Sequence, residues 1–135
     1  MKPVKTITFV LAALLLLAPA AARADFSDEQ FCTASNEAAK ALDASGPQWA
    51  DQVTRSDGIA VDCDGKTVDY KKFVKLNAAD MQHGWEDQMQ QAWNQIYCGD
   101  ANVAAAISNG WTVSVSLTMQ DNTSLPLTIG CGPAK

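Results

Sequence analysis

The strictest pattern in the chain is an alternation of apolar and polar side chains near its C-terminal end. From Trp111 to Met119 every odd position is apolar and every even position is threonine or serine. A second alternating run, Leu125 to Cys131, follows a turn at Asp121-Asn122. A period of two is typical of strands with one buried and one wet face, and Pro126 places the last strand at a sheet edge. These residues therefore predict a C-terminal hairpin.

An earlier hairpin is predicted between residues 59 and 76. Ile59, Val61 and Cys63 alternate with smaller or polar residues, and Asp64-Gly65 is a typical turn sequence. A run rich in valine, tyrosine and phenylalanine predicts the second strand, from about Thr67 to Leu76.

Apolar residues at helical spacing predict a first helix over about residues 28–43. Ser27 to Gln30 has the form of a capping box, and Ser45-Gly46-Pro47 stops the helix. The apolar stripe between them consists of Phe31, Ala34, Ala38 and Leu42.

Two further helices are predicted between the hairpins. Asn77 can cap the longer one, which ends near Cys98-Gly99. Its apolar stripe consists of Met81, Trp85, Met89, Ala92, Trp93 and Ile96. Asp100 can cap the shorter one, which Asn109-Gly110 closes.

The predicted order of elements is α-ββ-α-α-ββ. Helices on one face of a four-stranded, largely antiparallel sheet would make a two-layer α+β sandwich. The threonine and serine row indicates that the other face of the sheet is wet.

The first 24 residues have the three parts of a cleavable signal peptide. Lys2 and Lys5 precede an apolar run over residues 7–17, and Ala22-Arg23-Ala24 offers a cleavage site. That run is shorter than the ~20 residues needed to cross a bilayer, so no membrane span is expected. Residues 25–135 are expected to form one domain, periplasmic in a Gram-negative host and otherwise secreted.

Removal of this segment makes the chain more acidic. The segment carries three basic and no acidic residues, so the mature chain has seven Lys and Arg and fifteen Asp and Glu. Its net charge is therefore −8, compared with −5 for the full sequence. A negative surface repels nucleic acid and anionic lipid and favours basic partners. We therefore expect the partner to be a protein, with a basic one favoured.

The four cysteines are separated by 31, 35 and 33 residues. An even number of cysteines in an exported chain, with no close pair, predicts two structural disulfides and no metal site. Pairing of Cys32 with Cys63 and of Cys98 with Cys131 is slightly favoured, because each bond would join a helix to the hairpin that follows it. Pairing of Cys32 with Cys98 and of Cys63 with Cys131 stays open.

The chain offers few groups for catalysis. His83 is the only histidine, and no nucleophile motif accompanies it. Asp62 and Asp64 crowd the first hairpin, but Ala60 stands where a calcium loop needs its first ligand and where a P-loop needs its first glycine. We therefore expect no enzyme, no metal and no cofactor.

Two surface features are candidates for binding. Trp49 lies outside any periodic pattern and is predicted to be an exposed anchor for a partner. The only basic cluster lies on the second predicted strand, and we expect it to protect a sheet edge from aggregation. The alternative is a binding site for an anionic partner. Its members are Lys66, Lys71, Lys72 and Lys75.

These patterns favour an exported, non-catalytic protein that binds another envelope or secreted protein as an inhibitor, immunity factor or assembly accessory. One alternative is a small hydrolase that uses His83 or the Asp62/Asp64 hairpin. Another is a carrier that holds a small apolar ligand between the sheet and the helices.

Overall fold

The structure is a computed structural model that describes residues 26–132. The predicted signal peptide at residues 1–24 lies outside the described residues. Within them the chain folds as an α+β structure, which confirms the predicted class, and no helix is long and apolar enough to cross a membrane. The elements are, in order, α1 (Asp28–Ser45), β1 (Gln48–Trp49), β2 (Thr54–Asp62), β3 (Thr67–Val74), a 3-10 helix (Ala78–Asp80), α2 (Trp85–Cys98), α3 (Ala101–Ser108), β4 (Thr112–Met119) and β5 (Ser124–Thr128).

The strands form one mixed sheet in the order β1-β2-β3-β4-β5. The central strands β3 and β4 pair in parallel, from Thr67 opposite Thr112 to Val74 opposite Met119. The other neighbouring pairs are antiparallel. Parallel neighbours need a crossover connection, and here α2 and α3 carry the chain from the end of β3 to the start of β4.

The prediction of four strands is wrong by one. The additional strand, β1, pairs Gln48 with Ser56 and Trp49 with Arg55 at the edge of the sheet. Two residues cannot produce a periodic pattern, so the sequence shows no sign of this strand.

One face of the sheet packs against the helices. The odd-numbered residues of β4 from Val113 to Met119 are at most 1 % exposed, and so is Val68 of β3. The even-numbered residues of β4 are half-buried or exposed, as the alternation predicted. We call the side of the sheet that carries Thr112, Ser114, Ser116 and Thr118 the open face.

The α-helix α2 begins later than predicted. Asn77 precedes only the short 3-10 helix, and Gly84, with a φ of 86°, separates that helix from Trp85. Ile96 is 60 % exposed rather than buried. Tyr97, four residues after the buried Trp93, packs against the core in its place.

The outer edge of β5 is covered, in agreement with its predicted place at a sheet edge. The Nε2 amide of Gln90 donates to the carbonyl oxygen of Thr128 at 2.9 Å, and the side-chain oxygen of Asn94 accepts from the backbone N–H of Gly130 at 3.0 Å. Pro126 lacks an N–H that a further strand would need.

A pair of neighbouring substitutions tests which face of β4 is the core. Leu117→Ala removes a side chain that is 1 % exposed, so we expect the free energy of unfolding to fall by about 2–5 kcal/mol. Thr118→Ala, on the open face, should change it by about 1 kcal/mol or less. Urea denaturation measures both, and equal losses would contradict this assignment of faces.

Candidate binding groove

A groove of about 610 Å³ lies between α1 and the start of α3, on the helical side of the sheet. One wall consists of Phe26, Ser27, Gln30, Phe31, Ala34, Ser35 and Ala38. Asp100, Asn102 and Val103 form the other wall, and Tyr70 of β3 forms the floor. We call this the α1–α3 groove. The helical wall between Gln30 and Ala38 is roughly 12 Å long.

Two alanines leave this space open. Ala34 and Ala38 belong to the predicted apolar stripe and are both exposed, whereas Phe31 and Leu42 of the same stripe are buried. A methyl group does not span the distance to α3, so the wall of α1 recedes at these positions. All four residues of the stripe lie in α1 as predicted, but only the large ones are buried.

Tyr70, which forms the floor of the groove, is one member of a stack of aromatic rings. The rings of Tyr70 and Tyr97 are stacked with centroids 4.6 Å apart, and Trp93 lies 6.0 Å beyond Tyr97. Burial raises the pKa of both tyrosines; the charge of Asp100 raises the pKa of Tyr70 further, and Tyr70 does the same to that of Tyr97. Both hydroxyls therefore stay protonated at neutral pH, and the floor is uncharged.

Polar contacts at its first turn hold α1 in place. The hydroxyl of Ser27 accepts from the backbone N–H of Gln30 at 3.2 Å, which is half of the predicted capping box. The indole N–H of the buried Trp111 donates to Asp28 at 2.8 Å, and the ammonium of Lys66 lies 3.0 Å from the other oxygen of Asp28. The hydrogen bond from Trp111, followed by that from Lys66, lowers the pKa of Asp28.

Each wall of the groove is also tied by a disulfide. Cys32 of α1 is bonded to Cys63 in the turn after β2. Cys98, the last residue of α2, is bonded to Cys131 beyond β5. Two residues after Cys98, the carboxylate of Asp100 accepts from the backbone N–H of Asn102 at 2.9 Å and caps α3 as predicted.

The charged groups around the groove are acidic. Asp100 lines it directly, and Glu29 and Glu37 line a shallower hollow on the adjoining surface of α1. Within residues 26–132 no lysine or arginine lines either space. We call Glu29, Glu37 and Asp100 the acidic rim.

Trp49 lies away from the groove, on the open face. It is 50 % exposed, and its ring meets that of Phe73 edge-on at 6.3 Å. The guanidinium of Arg55 lies 5.5 Å from the centre of the Trp49 ring and 4.5 Å from that of Phe73, and it donates to Asp57 at 3.0 Å. Its role as an anchor for a partner stays a prediction.

The groups considered for hydrolysis lie apart in the fold. Asp62 accepts from the backbone N–H of Gly65 at 3.1 Å and so stabilises the hairpin turn that also holds the exposed Asp64. His83 is exposed in the turn before α2. Among the described residues no hydrogen bond joins these groups, and no three His, Cys, Asp or Glu side chains form a set that could hold a metal ion.

The lysines of β3 do not guard an edge, because β3 lies between β2 and β4. Lys66 pairs with Asp28, as described above. The Lys72 side chain points to the helical side, donates to the Ser56 hydroxyl at 2.6 Å and lies 6.0 Å from the centre of the Trp93 ring. Its burial lowers its pKa. The edge interpretation is therefore wrong.

Sequence reasoning missed most of the groove. The contributions of Gln30, Asn102 and Val103 depend on α1 and α3 lying opposite each other, which no local pattern shows. The one available signal was the pair of small residues, Ala34 and Ala38, within a stripe whose other members are large.

Comparisons with known proteins show the fold and no family. No protein-family model and no curated protein sequence matches the chain. A Pseudomonas aeruginosa protein provisionally described as secreted has a similar structure, with a TM-score of 0.58 and 15 % identity over 78 % of this chain and 93 % of its own.

Two pilotins of type II secretion systems also have similar structures. EpsS of Vibrio vulnificus has a TM-score of 0.58 and 14 % identity, over 79 % of this chain and 96 % of its own. AspS of Vibrio cholerae has a TM-score of 0.51 and 12 % identity, over 75 % and 91 %. At such low identity the similarity establishes the shared fold alone.

The depressed pKa of Asp28 gives a stability change with a defined pH window. Because the pKa is lower in the folded than in the unfolded chain, the carboxylate stabilises the fold above its unfolded pKa of about 4 and loses this effect as the pH falls through the folded pKa. Asp28→Asn should therefore lower the melting temperature at pH 7 and cause progressively less difference below about pH 4. Thermal unfolding from neutral to acidic pH measures this.

A matched control for this prediction is Asp43→Asn, an exposed position near the other end of α1. Because Asp43 lies in the last turn of α1, where a negative charge opposes the helix dipole, its replacement should not lower the melting temperature at pH 7. An Asp28→Asn effect of the same size at pH 3 and pH 7 would show that the charge of Asp28 is not what stabilises α1.

Proposed function

We propose that this chain is an exported, non-catalytic accessory protein that binds another envelope or secreted protein through the α1–α3 groove. The observation that carries the proposal is a groove of about 610 Å³ with fixed walls and a lining that is still open to solvent. An apolar floor with a few polar groups on its rim is the usual chemistry of a binding site.

The rigidity of the groove supports a binding role. Disulfides from Cys32 and Cys98 tie α1 and the segment that leads into α3, and the ring of Tyr97 stacks against that of Tyr70, which forms the floor. A site that is already ordered loses little conformational entropy when its partner binds, so more of the contact energy appears as affinity.

The exposure of the lining favours a protein partner over a small apolar ligand. Gln30, Ala34, Ala38, Asp100 and Asn102 are all exposed in the chain by itself. A carrier normally encloses most of the surface of its ligand, whereas an open groove suits a segment of a larger molecule.

The similar structures support an accessory role in export. Two of them are pilotins of type II secretion systems, which are components of an export apparatus. Of the roles considered for this chain, assembly accessory is the one closest to such components. The proposed periplasmic or secreted location rests on the predicted signal peptide.

The proposal is tested by affinity capture with the oxidised mature chain, residues 25–135, from the exported fraction of the host. We expect one protein in stoichiometric amount. Ala34→Trp and Ala38→Trp should abolish its capture, because an indole at either position projects into the groove and obstructs the partner. Ala44→Trp, exposed on the same helix but outside the lining, should leave capture unchanged.

The other outcomes separate the remaining hypotheses. Loss of capture in Trp49→Ala, with capture intact in Ala38→Trp, would move the binding site to the open face. Absence of any stoichiometric protein would overturn the proposal. A bound small molecule in native mass spectra of the chain would then favour the carrier.

A further inference from the structure

The acidic rim has members on both helices that form the groove: Asp100 lines it, and Glu29 and Glu37 line the adjoining hollow on α1. Glu29 and Glu37 are exposed on α1, eight residues and therefore roughly 12 Å apart. Asp100 stands on the opposite wall, at the first turn of α3. The two ion pairs within residues 26–132, Arg55 with Asp57 and Lys66 with Asp28, leave all three of these carboxylates without a cation.

The negative charge reaches the floor of the groove. The charge of Asp100 contributes to the raised pKa of the half-buried Tyr70, which lines the groove, so its field acts where an occupant would lie. The low dielectric of the aromatic floor strengthens such interactions relative to those in bulk water. A cation brought to this groove is attracted, and an acidic group is repelled.

Part of the groove lining is apolar. Phe26, Phe31, Ala34, Ala38 and Val103 present carbon atoms there. Asp100 lines the same groove, and Glu29 and Glu37 line the adjoining hollow on α1. An occupant that matches this arrangement has an apolar strip with positive charges on either side of it. Uniformly apolar or acidic segments leave the rim carboxylates unpaired.

We infer that the segment held in the α1–α3 groove is an apolar protein segment flanked by lysine or arginine, with its cations paired to Glu29, Glu37 and Asp100. This inference rests on the proposed function and adds the chemistry of the partner. The local rim, rather than the overall charge of the chain, selects the partner.

Two synthetic peptides of about 18 residues test the sign of the charge. Both have the same leucine strip, and their remaining positions are lysine in one and glutamate in the other. We expect the lysine peptide to bind the oxidised mature chain in fluorescence anisotropy and the glutamate peptide not to bind. Binding should weaken as NaCl rises from about 0.05 to 0.5 M, because salt screens exposed charges.

Two triple variants with the same change in net charge test whether the rim is responsible. Glu29→Gln, Glu37→Gln and Asp100→Asn neutralise the rim, and asparagine keeps the cap of α3. Asp43→Asn, Asp64→Asn and Glu86→Gln neutralise three exposed carboxylates outside the groove lining. We expect the rim triple to lose roughly tenfold in affinity for the lysine peptide and the control triple less than about twofold.

Failure of this inference is distinguishable from failure of the proposed function. Equal losses in the two triples, or equal binding of the two peptides, would overturn the inference. The proposed function would stand if Ala38→Trp still abolished capture of the partner. Failure of both peptides to bind, with capture intact, would likewise overturn only the inference.

Discussion

The parallel pairing of β3 with β4 is the constraint on which the rest of the structure depends. It joins two hairpins into one sheet and places Val68 opposite Val113, both completely buried. Because the two strands run in the same direction, the chain between them must cross the sheet on its helical side. The crossover brings α3 beside α1, with the first turn of α3 at the groove. The topology of the sheet thus places the two walls of the groove beside each other, and the side chains on those walls determine its shape.

Local patterns in the sequence account for most elements of this fold and for little of their arrangement. The alternation from Trp111 to Met119 assigned both faces of β4 correctly, and the caps at Ser27 and Asp100 follow from short-range hydrogen bonding. The position of β3 at the centre of the sheet was not predicted, since it depends on pairing with residues 45 positions later in the chain. Lys72 shows the consequence: its side chain packs against Trp93 instead of guarding an edge.

The candidate site was harder to predict than the fold for a related reason. A helical stripe identifies the face of α1 that turns toward the protein, but it does not tell what stands opposite each residue. Phe31 reaches the core and pairs edge-on with Trp111 at 4.9 Å, whereas Ala34, three residues later, faces open space. Small residues within an apolar stripe are therefore ambiguous: they mark either close packing or a vacancy, and only the tertiary structure separates the two.

The same contacts that stabilise the fold also define the groove, and this connects the proposed export to the proposed binding role. A disulfide typically contributes about 2–4 kcal/mol, and the net stability of a small domain is about 5–15 kcal/mol. The bonds of Cys32 with Cys63 and of Cys98 with Cys131 are therefore a large share of what keeps the two walls in place. Such bonds form and persist in oxidising compartments. A chain kept in a reducing compartment would lack them, so the groove is best formed where the proposed partner would meet it.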